Sequence, residues 1–533
     1  MSPDTAWRRR AWRVLAAAVW LVALGIGEGR AVETAAPESA ASGTGTLDRV
    51  GTQWAPYLEW SLHNPTWEGN PYDLVARVAF VHTESGKRRT TGMFYDGENV
   101  WKFRFTGTQV GEWRFTTSSE DADLDGKEGR VVIEPNPNAK AHGFLTHFGN
   151  KWGWEGTEEA FVPQLVMYAV PRHFYGKPEM VDADIETFLV EHGFNGLHIP
   201  VWCAWFDIEE DGYDNLPEEA NPDRRTFEAL EMVITKVHAA GGMVHLWAWG
   251  DEQRHWTPNK WGKNGKVDKR LQRYIAARLG PLPGWSMGYG FDCIEWVKEK
   301  DLREWHAHMH EQLGWFHFLG ARAPGPHGPK DPVTQIYEGL DYSSYEQHRP
   351  TYEDYVRVIE AWPEKPSFSE DRFRVREEPR YASKDYTVEQ TRRGLWHSAM
   401  AGGVANIWGY MLDPYKEAYL ATGKSGPYPN PEWIKTNAEF FRGRFLKEMV
   451  RDNGLTDGVC LRAPDGSRYL FYKEDASAIR MDLRGMGYKE RGVAVDAKAP
   501  YGEIDLGWLE AKEQVWKAPY ESDWAIAVGA FER

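Results

Sequence analysis

"NPDRRTFEALEMVITKVHAAGGMVHLWAW", residues 221–249, decides how the middle of the chain folds. Its first part reads as a helix, with Asn221 as N-cap, Pro222 at the first helical position and a stop at Gly241. The apolar run MVHLWAW (243–249) that follows reads as a buried strand. The same rhythm continues on both sides. Apolar runs stand at 163–170 (PQLVMYAV), 194–201 (FNGLHIPV), 285–291 (WSMGYGF), 315–320 (WFHFLG), 334–340 (TQIYEGL), 365–370 (KPSFSE) and 404–410 (VANIWGY). Helical patterns lie between them; in DADIETFLVEHG, Ile185, Phe188 and Leu189 make one stripe that Gly193 ends as a left-handed cap. Eight strands with intervening helices predict a (β/α)8 TIM barrel over residues 139–450 rather than an open doubly wound sheet. No Gly-rich phosphate fingerprint follows any strand, which argues against nucleotide binding.

The flanks have period two instead. In VWKFRF, Trp101, Phe103 and Phe105 share one face while Lys102 and Arg104 take the other, and Asp96-Gly97 supplies the preceding turn. "VGEWRFTT" repeats the alternation, so residues 47–138 predict a β-sandwich bounded by the Pro/Asn-rich EPNPNAK at 134–140. Alternation returns in SRYLFYKED, SAIRMDL, GVAVDAK and DWAIAVGA, predicting a second sandwich over residues 451–533. The expected class is thus multidomain, a central barrel between two β-sandwiches.

Arg8, Arg9 and Arg10 precede an apolar run from Val14 to Ile26 and small residues around Gly29 and Ala31. That is a signal-peptide pattern over residues 1–31, too short in its apolar part to span a bilayer, followed by a linker at 32–46. The expectation is an exported protein, periplasmic or extracellular, with no membrane association after cleavage. A formal charge of −16 argues against a nucleic-acid partner, which needs Lys and Arg on the phosphates. The three cysteines, Cys203, Cys293 and Cys460, are too few and too odd for a disulfide framework and read as buried thiols. Aromatics make up 14% of the residues and 27 are Trp, more than a core needs, so some are free to act as platforms for sugar rings.

A barrel carries its chemistry at the carboxyl ends of its strands. Strand two ends with His198, Trp202 and Trp205; strand three with His245, Trp247, Trp249 and Asp251; strand four with Tyr289 and Asp292. Strand six brings Glu338, Asp341 and Tyr345, strand seven Glu370 and Arg372, strand eight Trp408 and Tyr410. Tyr, Trp and carboxylates dominate, with no Ser-His-Asp arrangement. Cleavage of a glycosidic bond asks for this mixture: an acid for the departing oxygen, a carboxylate for the anomeric carbon or a water, and flat apolar faces for the sugar.

The stretches "MFYDGENVWKFRFTGTQVGEWRFTT", "GFNGLHIPVW", "WSMGYGFD", "KPSFSED" and "ESDWAIAV" resemble the apiosidase-like (β/α)8 glycoside hydrolases. These carry an N-terminal immunoglobulin-like sandwich and a C-terminal sandwich of the collagen-binding type. The resemblance implies a retaining mechanism, with acid/base Asp292 ending strand four and nucleophile Glu370 ending strand seven, and needs no metal and no organic cofactor. The broader barrel clan carries Asn-Glu at the end of strand four, where this chain has Phe291-Asp292, so the Asp292 role follows the apiosidase-like branch alone.

Each residue also has a plainer role open to it. Asp292 and Glu295 stand at capping-box spacing before EWVKEKDLREW, and Glu295 is itself an alternative acid. Asp371 rivals Glu370, since strand alternation turns only one of them into the barrel. Arg372 and Arg374, with Arg376, either pair with Asp371, Glu377 and Glu378, or at least one of them holds the nucleophile ionised or grips an anionic sugar. The expected substrate is a complex plant or algal poly- or oligosaccharide, anionic in the latter case. In His306-Ala307-His308-Met309-His310 the outer two share a helix face, but no carboxylate or cysteine completes a metal set, so they read as surface histidines. His198, His245, Trp202, Trp205, Trp247, Trp249, Tyr289, Tyr345 and Trp408 are the expected substrate-contact residues, against simple core packing. Two other function classes fit the same barrel: a non-catalytic carbohydrate-binding protein, and a polysaccharide lyase. Oligomeric state has no signature in the sequence.

Overall fold

The computed structural model describes residues 47–54, 57–138, 141–210, 219–250, 258–291, 293–324, 339–373, 386–409 and 430–531. The leader and linker expected at residues 1–46 lie outside them. Residues 46–533 form one compact unit.

Its centre is a parallel barrel. The strands are Gln164–Met167, Gly196–Pro200, Met243–Trp249, Trp285–Gly290, a split fifth, Ser343–Glu346, Ser367–Phe373 and Val404–Trp408. The fifth consists of Leu319–Gly320, which pairs with the fourth, and Ala323–Pro324, which pairs with the sixth; the eighth pairs with the first. Nearly every residue of these strands is buried, because helices cover one side and neighbouring strands' side chains fill the other. Two expectations need correcting. The sixth strand is Ser343–Glu346, not 334–340, of which 334–338 lie outside the described residues. Of WFHFLG only Leu319–Gly320 is strand; Trp315 instead packs into the N-terminal sheet pair and His317 stacks on Trp285 at 4.0 Å.

The helix read from 221 runs Arg224–Ala239 and is capped two residues later than expected. Asp223 Oδ1 accepts from the Arg225 N–H at 2.9 Å, while Asn221 accepts from Asn70 of the preceding domain and from Arg270 of the barrel. The stretch DADIETFLVEHG, residues 182–193, ends an α-helix, Pro178–Ile185, that continues as a π-helical turn, Glu186–Glu191; Gly193 follows at φ +87°.

Before the barrel, a five-stranded and a three-stranded sheet share a core of Trp60, Phe80, Phe103, Phe105, Trp113 and Phe115, with Trp60 stacked on Phe103 at 4.9 Å. This sandwich presses on the barrel through Arg104 (103 and 105 face its own core), whose guanidinium contacts Glu231 at 2.7 Å. After the barrel comes one six-stranded sheet rather than two facing ones. Its long strands, Tyr469–Asp482 and Glu513–Val528, shift register between Lys473 and Ala478, and Cys460, Ile479, Met481, Trp524 and Ile526 fill its own core. All three cysteines are buried, and none is in a disulfide.

Candidate active site

Strand parity sorts the side chains. On strand four, Ser286 and Gly288 face the barrel interior, where Ser286 meets His245 and Gly288 meets Glu370. Trp285 and Tyr289 therefore point outward. Tyr289 lies against Trp305 at 5.1 Å and Trp296 at 5.8 Å in the helix layer, so it is not a substrate contact. Tyr345 is displaced for the same reason: it belongs to the cluster of Tyr355, Val358 and Trp396 beneath the covering helices.

On strand three, His245 and Trp247 face inward, and here the site assembles around Glu370. Trp247 Nε1–H donates to Glu370 Oε2 at 2.7 Å, and the Tyr342 hydroxyl is hydrogen-bonded to Oε1. Indole can only donate, so Oε2 must accept, as an ionised carboxylate does. His245 Nε2 lies 3.7 Å from Oε1 and its Nδ1 contacts the Ser286 hydroxyl at 2.9 Å. Burial pushes the His245 pKa down to about 3, so this is a neutral ring beside the carboxyl and not an ion pair. His198 completes the layer, its ring 5.4 Å from His245 and 4.4 Å from Trp247. Gly288 is what leaves the carboxyl its room. A Cβ there would stand 2.8 Å from Glu370 Oε2 and 2.9 Å from Trp247 Cδ1.

Glu370 is fully buried, and burial raises its pKa to about 7 against the hydrogen bonds from Tyr342 and Trp247 and the charge of Arg322. Among the described residues Arg322, which lies between the two pieces of the split fifth strand, is the cation whose charge favours the ionised form of Glu370. The Arg322 guanidinium sits 5.8 Å over the Trp247 and Phe291 rings and is ion-paired to Glu346. The side chain of Arg372, and Arg374 altogether, lie outside the described residues.

Simple alternation does not separate Glu370 from Asp371, because strand seven bulges there: Ser369 pairs with Asn406 and the next pair is Arg372 with Ile407. Both carboxyls end up buried in different company. Asp371 Oδ2 lies 2.6 Å from His348 Nδ1, away from the Trp247–Tyr342 grip on Glu370.

The remaining tryptophans divide. Trp205 gives its N–H to the Ala248 carbonyl at 3.1 Å and packs on Phe227, which makes it core. Trp408 donates to Gln164 at 2.7 Å inside the barrel, with Phe373 at 5.2 Å. Trp249, at the end of strand three, faces Phe206 at 6.4 Å. Trp202 is held at φ +55°, the left-handed region that a bulky side chain enters only under strain, directly after strand two.

Asp292 lies outside the described residues, as do Asp251, Glu338 and Tyr410. Its neighbours are placed: Phe291 packs on Trp247 at 5.0 Å, and Cys293–Glu295 form a 3₁₀ turn. The helix beyond begins at Glu299, with the Asp301 carboxylate accepting from the Lys298 N–H at 3.3 Å, so Asp292 and Glu295 are not the capping box of that helix. Glu295 is exposed. Sequence reasoning missed Tyr342, Ser286, Gly288 and Arg322; Ser286 and Gly288 stand in the WSMGYGFD stretch but were given no role there, and their signal is inward parity on the strand that faces Glu370.

A family model described as a domain of unknown function, DUF5060, matches residues 51–120. Among curated proteins a sequence search finds no match. Solved structures are similar across most of the chain. A candidate glycoside hydrolase from Bacteroides vulgatus ATCC 8482 is 16% identical with TM-score 0.71, covering 90% of this chain and 99% of that one. A glycoside hydrolase family 5 structure from the same organism is 14% identical with TM-score 0.53, over 73% and 93%. A third, named simply glycoside hydrolase, is 13% identical with TM-score 0.54, over 74% and 98%. At such identities the likeness establishes the fold: a multidomain barrel with added β sheets, of the kind glycoside hydrolases use.

Proposed function

We propose that the chain is an exported glycoside hydrolase of the apiosidase-like type, cleaving a plant or algal poly- or oligosaccharide with retention of anomeric configuration. The observation that carries the reading is the grip on Glu370: an inward carboxylate on barrel strand seven, held by Trp247 and Tyr342 at separate oxygens and given space by Gly288. Such a carboxylate is fixed in orientation and keeps the lone pairs not used by its two partners for an anomeric carbon. Glu370 attacks that carbon, and the leaving oxygen takes a proton from Asp292. Water then hydrolyses the glycosyl-enzyme, with Asp292 now taking the proton. Asp292 follows Phe291, which packs on the same indole that binds Glu370, and this supports its role. Neutral His245, with His198 beside it, lines the same interior, where an imidazole can donate to or accept from a sugar hydroxyl. Arg322 gives one end of its guanidinium to Glu346, and whether the substrate carries acidic groups is read from the glycan panel below.

A panel of plant and algal glycans identifies a cleaved substrate, and proton NMR of the first product reads its anomer. A matching 2-deoxy-2-fluoro glycoside traps the intermediate, with the label expected on the peptide that contains Glu370. Inverted product, a label on another residue, or an unsaturated product absorbing in the ultraviolet sinks the reading.

A further inference from the structure

On the helix Glu299–Gln312, His306 and His310 are four apart and face the same way. Sequence spacing offered them no third ligand, but the fold does. His306 Nε2 lies 3.0 Å from Asp341 Oδ1, and His310 Nε2 lies 2.8 Å from Asp341 Oδ2. All three donor atoms fall within 4.8 Å of one another. From these distances we infer a divalent transition-metal site, of the Zn²⁺ class, formed by His306, His310 and Asp341. It lies on the amino-terminal side of the sixth barrel strand, apart from the Glu370 site.

Three features favour an ion over a set of hydrogen bonds alone. Two imidazoles and one carboxylate suit a borderline cation, and Zn–N and Zn–O bonds of about 2.0–2.2 Å ask for ligand atoms roughly 3.3–3.5 Å apart, a few tenths of an ångström from the two His–Asp distances, with the two imidazole nitrogens within 4.8 Å of each other. The ligands are also oriented from behind. The Leu319 N–H donates to Asp341 Oδ2 at 2.8 Å, the Asp341 N–H returns to the Leu319 carbonyl at 3.0 Å, and the His310 ring stacks on Phe316 at 5.7 Å. Finally, the side chains are between 14% and 25% exposed, which leaves water a fourth position. The other convergent cluster, Glu346, His348 and Asp371, differs on this point, because the Arg322 guanidinium already occupies the cation's place at Glu346. An ion at Asp341 ties the helix after strand four to the segment that carries Tyr342, and so has a structural role.

The test uses the whole mature protein, stripped with chelator, then titrated with ZnCl₂ and separately with CoCl₂. A single equivalent of zinc should bind by calorimetry and elemental analysis. Cobalt should give visible d–d bands of a low-coordinate site, and Tm should rise with either metal. His310→Gln and Asp341→Asn should each abolish the equivalent, whereas His348→Gln and His308→Gln should keep it. The wild-type stoichiometry and cobalt spectrum need no variant, so a poorly folded substitution cannot mask the answer. No bound equivalent, or one that survives His310→Gln, overturns the site.

Discussion

At Glu370 burial opposes ionisation while two donors favour it, and the balance leaves the pKa near 7 instead of 4.5. The folded state therefore holds a proton that the unfolded chain releases between about pH 4.5 and 7, so stability should fall as pH rises through that window and level off above it. Full ionisation costs on the order of 3 kcal/mol of stability by that linkage. Glu370→Gln removes the titration, so its unfolding free energy in urea relative to wild type should improve between pH 4.5 and pH 8, by about 1–3 kcal/mol once a misplaced amide N–H is allowed for. An unchanged pH dependence would show that another group titrates there. Activity should run the other way, rising through pH 7 as the nucleophile ionises. Gly288 tests the same carboxyl from outside. Gly288→Ala pushes a methyl to 2.8 Å from Oε2, and a displacement of that size should cut kcat/KM by roughly 10²-fold while the fold, read by circular dichroism, persists.

Elements buried on both sides were legible and elements that are short and polar were not. Runs such as MVHLWAW and VANIW are continuous apolar strings, and they lie where the barrel strands lie. The sixth strand, SSYE, is short, half polar and carries no such signal, so the apolar run ahead of it was read in its place. Which face a residue takes was harder still. Tyr289 and Tyr345 end strands yet point into the helix layer, because direction follows the register against neighbouring strands, and a bulge at 370–371 suspends alternation where it mattered most. Partners such as Tyr342, Arg322 and Asp341 are brought in from 28 or more residues away, beyond the reach of spacing arguments. The helix start shows the same limit on a smaller scale. Asn221-Pro222 is a plausible cap pair, yet Asp223 holds the position because its second oxygen also accepts the Ile208 N–H at 2.9 Å and so secures the loop leaving strand two. Asp223→Ala should lower stability by about 1–2 kcal/mol, with amide exchange rising first at Ile208 and Arg225. A uniform loss across the barrel, without that local signature, would place the cost elsewhere.

At the scale of the molecule the N-terminal sandwich is joined to the barrel by charge buried between them. Arg104 reaches from the strand Val100–Phe105 to Glu231 on the helix Arg224–Ala239, and Arg278 of the helix Lys266–Leu279 pairs with the same carboxylate. Arg104 also gives its Nε–H to Glu59 at 2.8 Å and stacks on the Tyr57 ring at 4.1 Å. Burial alone would raise the Glu231 pKa, but Arg104 and Arg278 outweigh it and hold it below the ordinary 4.5. The sign is opposite to that at Glu370. The stabilisation is present above about pH 4.5 and is lost as pH falls through the lower folded-state value. Surrounding apolar contacts do not make this network optional, because removing its carboxylate takes from two buried guanidinium groups a shared buried partner, leaving Arg104 to Glu59 and Arg278 to Asp96. Glu231→Ala should therefore cost about 3–5 kcal/mol, far more than a surface pair of about 0–1 kcal/mol. Adding Arg104→Met to it should recover part of that loss, since one under-compensated buried charge is gone. Denaturant unfolding of the two single variants and the double variant gives the coupling directly. Additive losses would mean that the sandwich is held by its apolar contacts, and that the buried charges are separate from its docking.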